Sequence, residues 1–219
     1  MVDAADAQQD RSGSTRPLAS IVVWAGALAC VAGGVLWVLS PVGVHLSEVK
    51  FHTPNVFWKL FPSAPLLLLV GLAGLRLLVA GRRGPTQRIG FWTTLLGLVL
   101  VVAGDVGLYW LGVDDTYIMS APSYRAFRLG LLLAAAGSIL LGVGAGRDRT
   151  LPVWATLPFA LGALAGLISF TTDLDQIGSA LWVLFGFGWA WLGLSLIVAG
   201  IVSLATRKRA ILANSTDKR

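Results

Sequence analysis

Six apolar stretches, each long enough to cross a bilayer, follow one another along this 219-residue chain with short polar connections between them. A helix needs roughly 20 predominantly apolar residues to cross the hydrocarbon layer. The stretches run at about 18–40, 63–80, 91–111, 126–145, 153–170 and 179–205. In lipid every backbone N–H and C=O must be satisfied within the segment, so stretches of this kind become helices. The sequence therefore predicts an all-α, polytopic membrane protein, a bundle of six transmembrane helices.

Composition points the same way. A mean hydropathy of +0.76, with 56% hydrophobic and 13% charged residues, lies outside the range of soluble domains, where charge runs near a quarter. The net charge of +6 does not imply a nucleic-acid partner, because the cations sit beside span ends rather than on one basic face. The single cysteine, Cys30, lies mid-span, so no disulfide forms within the chain.

The basic residues set the orientation. Thirteen Lys and Arg fall on one side: Arg11, Arg16, Arg76, Arg82, Arg83, Arg88, Arg147, Arg149, Arg207, Lys208, Arg209, Lys218 and Arg219. Four fall on the other: Lys50, Lys59, Arg125 and Arg128. By the positive-inside rule both termini are cytoplasmic, and loops 41–62, 112–125 and 171–178 face outward. The expected location is the plasma (inner) membrane.

The leader MVDAADAQQD is acidic and no small-residue cleavage site follows the first apolar run, so that run reads as a retained span. Residues 1–16 are expected to be disordered, 17–206 to form the transmembrane domain, and 207–219 to be a basic cytoplasmic tail. That tail opens with Arg207, Lys208 and Arg209, which suits a stop-transfer anchor on anionic lipid, at about 1 kcal/mol per charge.

Helices in lipid associate by close packing and hydrogen bonds, and small residues mark where backbones approach. Rows at four-residue spacing include Gly26/Cys30/Gly34, Ala134/Ser138/Gly142/Gly146, Pro158/Gly162/Gly166 and Gly186/Ala190. They support a compact bundle and would also serve a homodimer or a membrane-protein partner. Trp58, Tyr109, Trp110, Tyr117 and Tyr124 on one side, with Trp92 and Trp154 on the other, form an aromatic belt. Trp182 and Trp189 lie deeper and share a face, either packed in the core or lining a cavity for a flat ligand. The segments LLVAGRR (77–83) and GVGAGRD (142–148) align faintly, which would make spans two–three and four–five related hairpins.

Chemistry is sparse. Asp105 is the sole acid inside a span, and an ionisable group in lipid is a functional candidate by default. Its stripe (Thr94, Gly97, Val101, Gly104, Leu108, Gly112) is small and partly polar, so it should face the bundle interior. Arg128, one turn inside the fourth span, is its expected partner, making an intramembrane polar pair. Paired, Asp105 locks two helices together; unpaired, it is a place for a proton or cation.

The first outer loop holds both histidines and the lone glutamate, His45, Glu48 and His52. Helical spacing over 44–52 would gather them on one face as ligands for a divalent transition metal, whereas an extended stretch would separate them. Two further readings are a pH-sensitive patch and a plain solvated loop. Phe57, Trp58, Leu60 and Phe61 around Lys59 read as a segment lying in the headgroup layer.

No phosphate-binding loop, nucleophile elbow or paired-carboxylate site is present, so enzymatic activity is disfavoured and no cofactor is expected beyond that metal. The expectation is a small membrane protein with a binding, sensing or accessory role on its extracytoplasmic face, centred on Asp105, Arg128 and loop 41–62. The alternative is a small-solute or cation transporter using Asp105.

Overall fold

The computed structural model describes residues 21–43, 55–79, 84–111, 122–171 and 175–216, the side chains of 55, 56, 58, 175–179 and 203–216 excepted. Among the described residues all regular secondary structure is helix, joined by short turns. Helix α1 spans Ile21–Gly43. It is followed by the short α2 (Asn55–Leu60), then α3 (Ser63–Leu78), α4 (Pro85–Tyr109), α5 (Pro122–Arg147), α6 (Val153–Thr171) and α7 (Asp175–Thr216). Five helices are long and apolar enough to cross a membrane: α1, α4, α5, α6 and the Ala180–Val202 part of α7.

The expected second span differs in length. Helix α3 has 16 residues, about 24 Å at 1.5 Å per residue, against a hydrocarbon layer of about 30 Å. It begins at Ser63 as expected, where the chain turns through Phe61 and Pro62 and Ser63 Oγ donates back to the Leu60 carbonyl (2.6 Å), and it ends at Leu78. At the other end of the bundle, α7 runs past Ala205, so the expected basic tail is helical as far as Thr216.

The bundle is apolar on its outside as well as in its core, and a few polar groups are buried. Leu28, Leu96, Val143, Leu161 and Val198 are exposed, while Thr94, Ser138, Ser195 and Asp105 are buried. Such a surface suits hydrocarbon as solvent, where apolar exposure costs nothing and polar groups turn inward.

Glycine determines the closest packing. Along α4, Gly90, Gly97 and Gly104 recur every seven residues; along α5, Gly130, Gly137 and Gly144 do the same. A β-carbon on Gly104 would lie 2.5 Å from the Phe127 amide nitrogen, and one on Gly130 would lie 2.6 Å from that of Val101. Gly97 abuts Ala134, Gly90 abuts Leu141, Gly137 abuts Thr94 and Gly144 abuts Gln87. Each seven-residue step forward on α4 is thus a seven-residue step backward on α5. The two helices are antiparallel, with one face of each held against the other along its length. The four-residue rows expected in α1, α6 and α7 are also filled from within the chain. Gly26 meets Gly74, Gly34 meets Ala190, and Gly162 meets the Leu184 carbonyl.

The turn from α5 to α6 is tightly closed. Thr150 N–H donates to the Ala145 carbonyl (3.0 Å) and Arg149 N–H to that of Gly146 (3.2 Å), the paired bonds of a Schellman motif. The motif places Arg149 at φ 50°, a left-handed position that glycine normally fills. The neighbouring Asp148 carboxylate accepts from the Gly84 N–H (2.8 Å) and caps α4. Asp148 closes the second of the two segments proposed as a repeat, and Gly84 is the residue that follows the first. The close glycine pairing nevertheless runs between α4 and α5, one from each suggested hairpin.

Candidate functional site

Aromatic side chains converge at the end of the bundle where α2 lies. Position 43 is glycine where α1 ends, and the Phe57 ring of α2 occupies the space its side chain would take. The Lys59 carbonyl accepts from Trp110 Nε1 (3.1 Å), tying α2 to the end of α4. With α2 held this way, Phe61 points into the core and is fully buried. Phe61 therefore does not lie in a headgroup layer with Leu60 and Lys59, as its place in the sequence suggested. Its ring centroid is 4.9 Å from Trp37 of α1, 6.0 Å from Phe127 of α5 and 5.8 Å from Trp182 of α7. Trp182 also meets Trp37 (5.7 Å), Phe127 (6.4 Å) and, edge-on, Phe170 of α6 (4.9 Å). One indole thus bridges four elements.

Beside this cluster lies a cleft of about 180 Å³, lined by Tyr124, Phe127, Arg128 and Leu131 of α5, Ser169 and Phe170 of α6, and Trp182 of α7. Its walls are largely aromatic and it carries one cation. Arg128 is exposed; its Nη2 donates to the Phe170 carbonyl at a long 3.4 Å, and its guanidinium carbon lies 6.0 Å from the Tyr124 ring. Phe170 sits in the last turn of α6, where carbonyls lack intrahelical partners and the helix dipole favours a cation. The Nε1 donor of Trp182 is buried without an acceptor.

Asp105 is fully buried on α4, and neither carboxylate oxygen has a hydrogen-bond partner. The expected Asp105–Arg128 contact is not formed. The reason lies in the α4–α5 register. Gly104 and Phe127 are in contact, so the two charged residues stand next to a close pair, yet they leave it in different directions. Arg128 turns toward α6. Asp105 continues the stripe Phe91–Leu98–Asp105, whose first member lines a cleft with Leu75, Arg76 and Val79 of α3. The α6 carbonyl as a partner for Arg128 had no trace in local sequence, because a helix end becomes an acceptor only once its neighbour is known.

Trp189 is fully buried with its ring edge-on to Phe159 (4.9 Å), so of the two deep tryptophans only Trp182 borders the cleft. Arg76 is exposed and lies over the rings of Phe91 and Trp92, 5.1 Å from each centroid. His45, Glu48 and His52, the candidate metal ligands, lie outside the described residues. Among the described residues, no cluster of three His, Cys, Asp or Glu is placed to hold a metal.

Apolar helices of spanning length, an apolar exterior, glycine-mediated contacts and an aromatic cleft define the class: a helical membrane-type protein built as one bundle. No protein-family model matches the chain, and neither the curated proteins nor the solved structures contain a significant match.

Proposed function

We propose that this chain is a small multi-pass protein of the plasma membrane with a binding or accessory role, working from the extracytoplasmic side through the α5–α6–α7 cleft. In this reading six helices cross the bilayer, with α3 as the short crossing, and both termini are cytoplasmic. Arg88, Arg147 and Arg149 then fall inside, and Lys59, Arg125 and Arg128 outside, in keeping with the thirteen-to-four charge asymmetry. The short α3 is accommodated by local thinning of the bilayer and by Arg76 extending toward the headgroups.

The observation that carries the reading is the cleft itself: aromatic walls around a guanidinium held by one long hydrogen bond. Aromatic side chains beside a few placed polar groups are a recurrent makeup of ligand sites. The test is photo-crosslinking in cells from a benzoylphenylalanine at position 182, with position 143, where Val143 is exposed, as the control. Position 143 reports the bulk lipid it faces, and the reading expects from position 182 an adduct of discrete mass that position 143 does not give. The same set of products from both positions, or no product from position 182, would remove it.

Asp105 supports a second reading, transport of a cation or proton. A buried carboxylate with no hydrogen-bond partner is the observation in its favour. Proteoliposomes with wild type and Asp105→Asn test it: cation-driven flux that Asn abolishes supports transport, and equal flux in both dismisses it.

A further inference from the structure

We infer that the ligand of the α5–α6–α7 cleft is a membrane lipid with an anionic phosphate headgroup: the phosphate on Arg128, one acyl chain along Phe127, Leu131, Phe170 and Trp182. The inference rests on the binding role proposed above and adds the chemistry of the ligand.

Three observations carry it. The first is the medium around the cleft. Next in sequence to the lining, Leu129 on α5 (51% exposed), Ile168 on α6 (42%) and Leu184 on α7 (46%) are exposed and apolar. The three helices that form the cleft thus turn apolar outer faces to their surroundings, so in a membrane lipid lies alongside the cleft and is the ligand nearest to hand.

The second is depth. Arg128 is six residues into α5 from Pro122, about 9 Å along the axis. A guanidinium there reaches the zone where lipid phosphates meet the first methylenes, and it can do so while its stem stays in hydrocarbon. The Tyr124 ring, one turn nearer the helix end, flanks it on the water side.

The third is charge and valence. Arg128 has five N–H donors, and the contacts it makes are the single 3.4 Å bond to a carbonyl and the Tyr124 ring. No ion pair joins it to a carboxylate among the described residues, and Asp105 lies elsewhere. A guanidinium in fork geometry matches a phosphate through two parallel hydrogen bonds, each stronger than a neutral one. With no carboxylate beside Arg128 among the described residues, the cleft carries a net positive charge, which an anionic head neutralises and a zwitterionic head, bringing its own ammonium, leaves in place. The ring faces can receive that ammonium by cation–π attraction, so the comparison of phosphatidylglycerol with phosphatidylcholine is the decisive one. A cleft of about 180 Å³ has room for the phosphate and the upper part of one chain, leaving the rest in bulk lipid.

The experiment uses the full chain in vesicles and Trp182 as reporter, its fluorescence isolated as the difference between wild type and Trp182→Phe. Vesicles contain either dibrominated phosphatidylglycerol in ordinary phosphatidylcholine, or the reverse. Bromine quenches indoles it touches, so the ratio of quenching reads headgroup preference at the cleft. Wild type is expected to prefer phosphatidylglycerol, with Arg128→Gln lowering the preference by about tenfold and Arg128→Lys by less. Equal quenching by both lipids in wild type, or a preference that survives Arg128→Gln, overturns the inference. Displacement of the brominated lipid by millimolar inorganic phosphate also overturns it, in favour of a free-anion site. The measurement is independent of orientation and of other ligands. A discrete non-lipid adduct at position 182, without headgroup preference, would defeat the lipid and leave the binding role standing.

Discussion

Gly97 of α4 lies directly against the backbone of Ala134 on α5, with no room for a β-carbon between them. It is the middle contact of an antiparallel glycine ladder, so any side chain there must push two helices apart along their whole length. Gly97→Leu is expected to destabilise the protein by about 3 kcal/mol or more, seen as loss of folded protein in detergent. The exposed Ala103 on the same helix is the control, and Ala103→Leu should melt as wild type. Equal melting of both variants would mean that the ladder does not hold α4 to α5.

Arg149 closes the Schellman turn after α5 in a left-handed conformation that costs an L-residue about 1 kcal/mol. Arg149→Gly is expected to raise thermal stability by about 0.5–1 kcal/mol, because the native backbone already has the conformation glycine tolerates. Chemical denaturation of the two proteins in the same detergent decides it. A lower midpoint would assign Arg149 a contact worth more than its strain.

Asp105 has neither a hydrogen-bond partner nor an ion pair, so replacing it with the near-isosteric Asn breaks no contact. Asp105→Asn should melt at the wild-type temperature or above it. Loss of a buried ion-pair partner would instead cost about 3–5 kcal/mol. Labelling by a hydrophobic carbodiimide, followed by peptide mass mapping, should mark Asp105 in wild type. A destabilised Asn variant would restore the structural pair that the sequence suggested.

Phe61 fills the centre of the aromatic cluster, in ring contact with Trp37, Phe127 and Trp182. In lipid or detergent the transfer part of burial largely vanishes, and the loss on truncation is the cavity and its dispersion contacts. Phe61→Ala is therefore expected to cost about 2–3 kcal/mol, at the low end for a buried aromatic. It should also alter Trp182 emission. Leu60→Ala next to it, on an exposed side chain, should do neither.

Which parts of this were legible in the sequence follows from where the information lay. Helix positions came from hydropathy over long windows, and the ends of α4, α5 and α6 lie within about six residues of those expected, since lipid leaves a 20-residue apolar stretch few other options. The start of α3 was legible at Pro62 and Ser63; its end at Leu78 was less so, because the apolar run continues through Ala80. The glycine contacts were half visible. A search at four-residue spacing found the rows in α1, α6 and α7. Of the seven-residue series Gly90/Gly97/Gly104, Gly97 and Gly104 were read only as the small stripe beside Asp105, because the meaning of the series depends on the matching one in α5. Arg128 and Asp105 show the deeper limit. Both were recognisable as costly residues, but their partners are set by helix rotation, which no single helix encodes. Trp182 was noted with Trp189 as core or as the wall of a cavity; which of the two borders a cleft was not legible, because the other walls come from two more helices.

The central claim is that the cleft opens on the extracytoplasmic side of a chain that crosses the membrane an even number of times. Thiol labelling in intact cells tests it most directly, with single cysteines at exposed Arg125 and exposed Arg149 and the buried Cys30 as an inert background. A membrane-impermeant maleimide should label Arg125→Cys in intact cells and Arg149→Cys only after permeabilisation. The reverse pattern, or equal labelling of both in intact cells, would contradict the account.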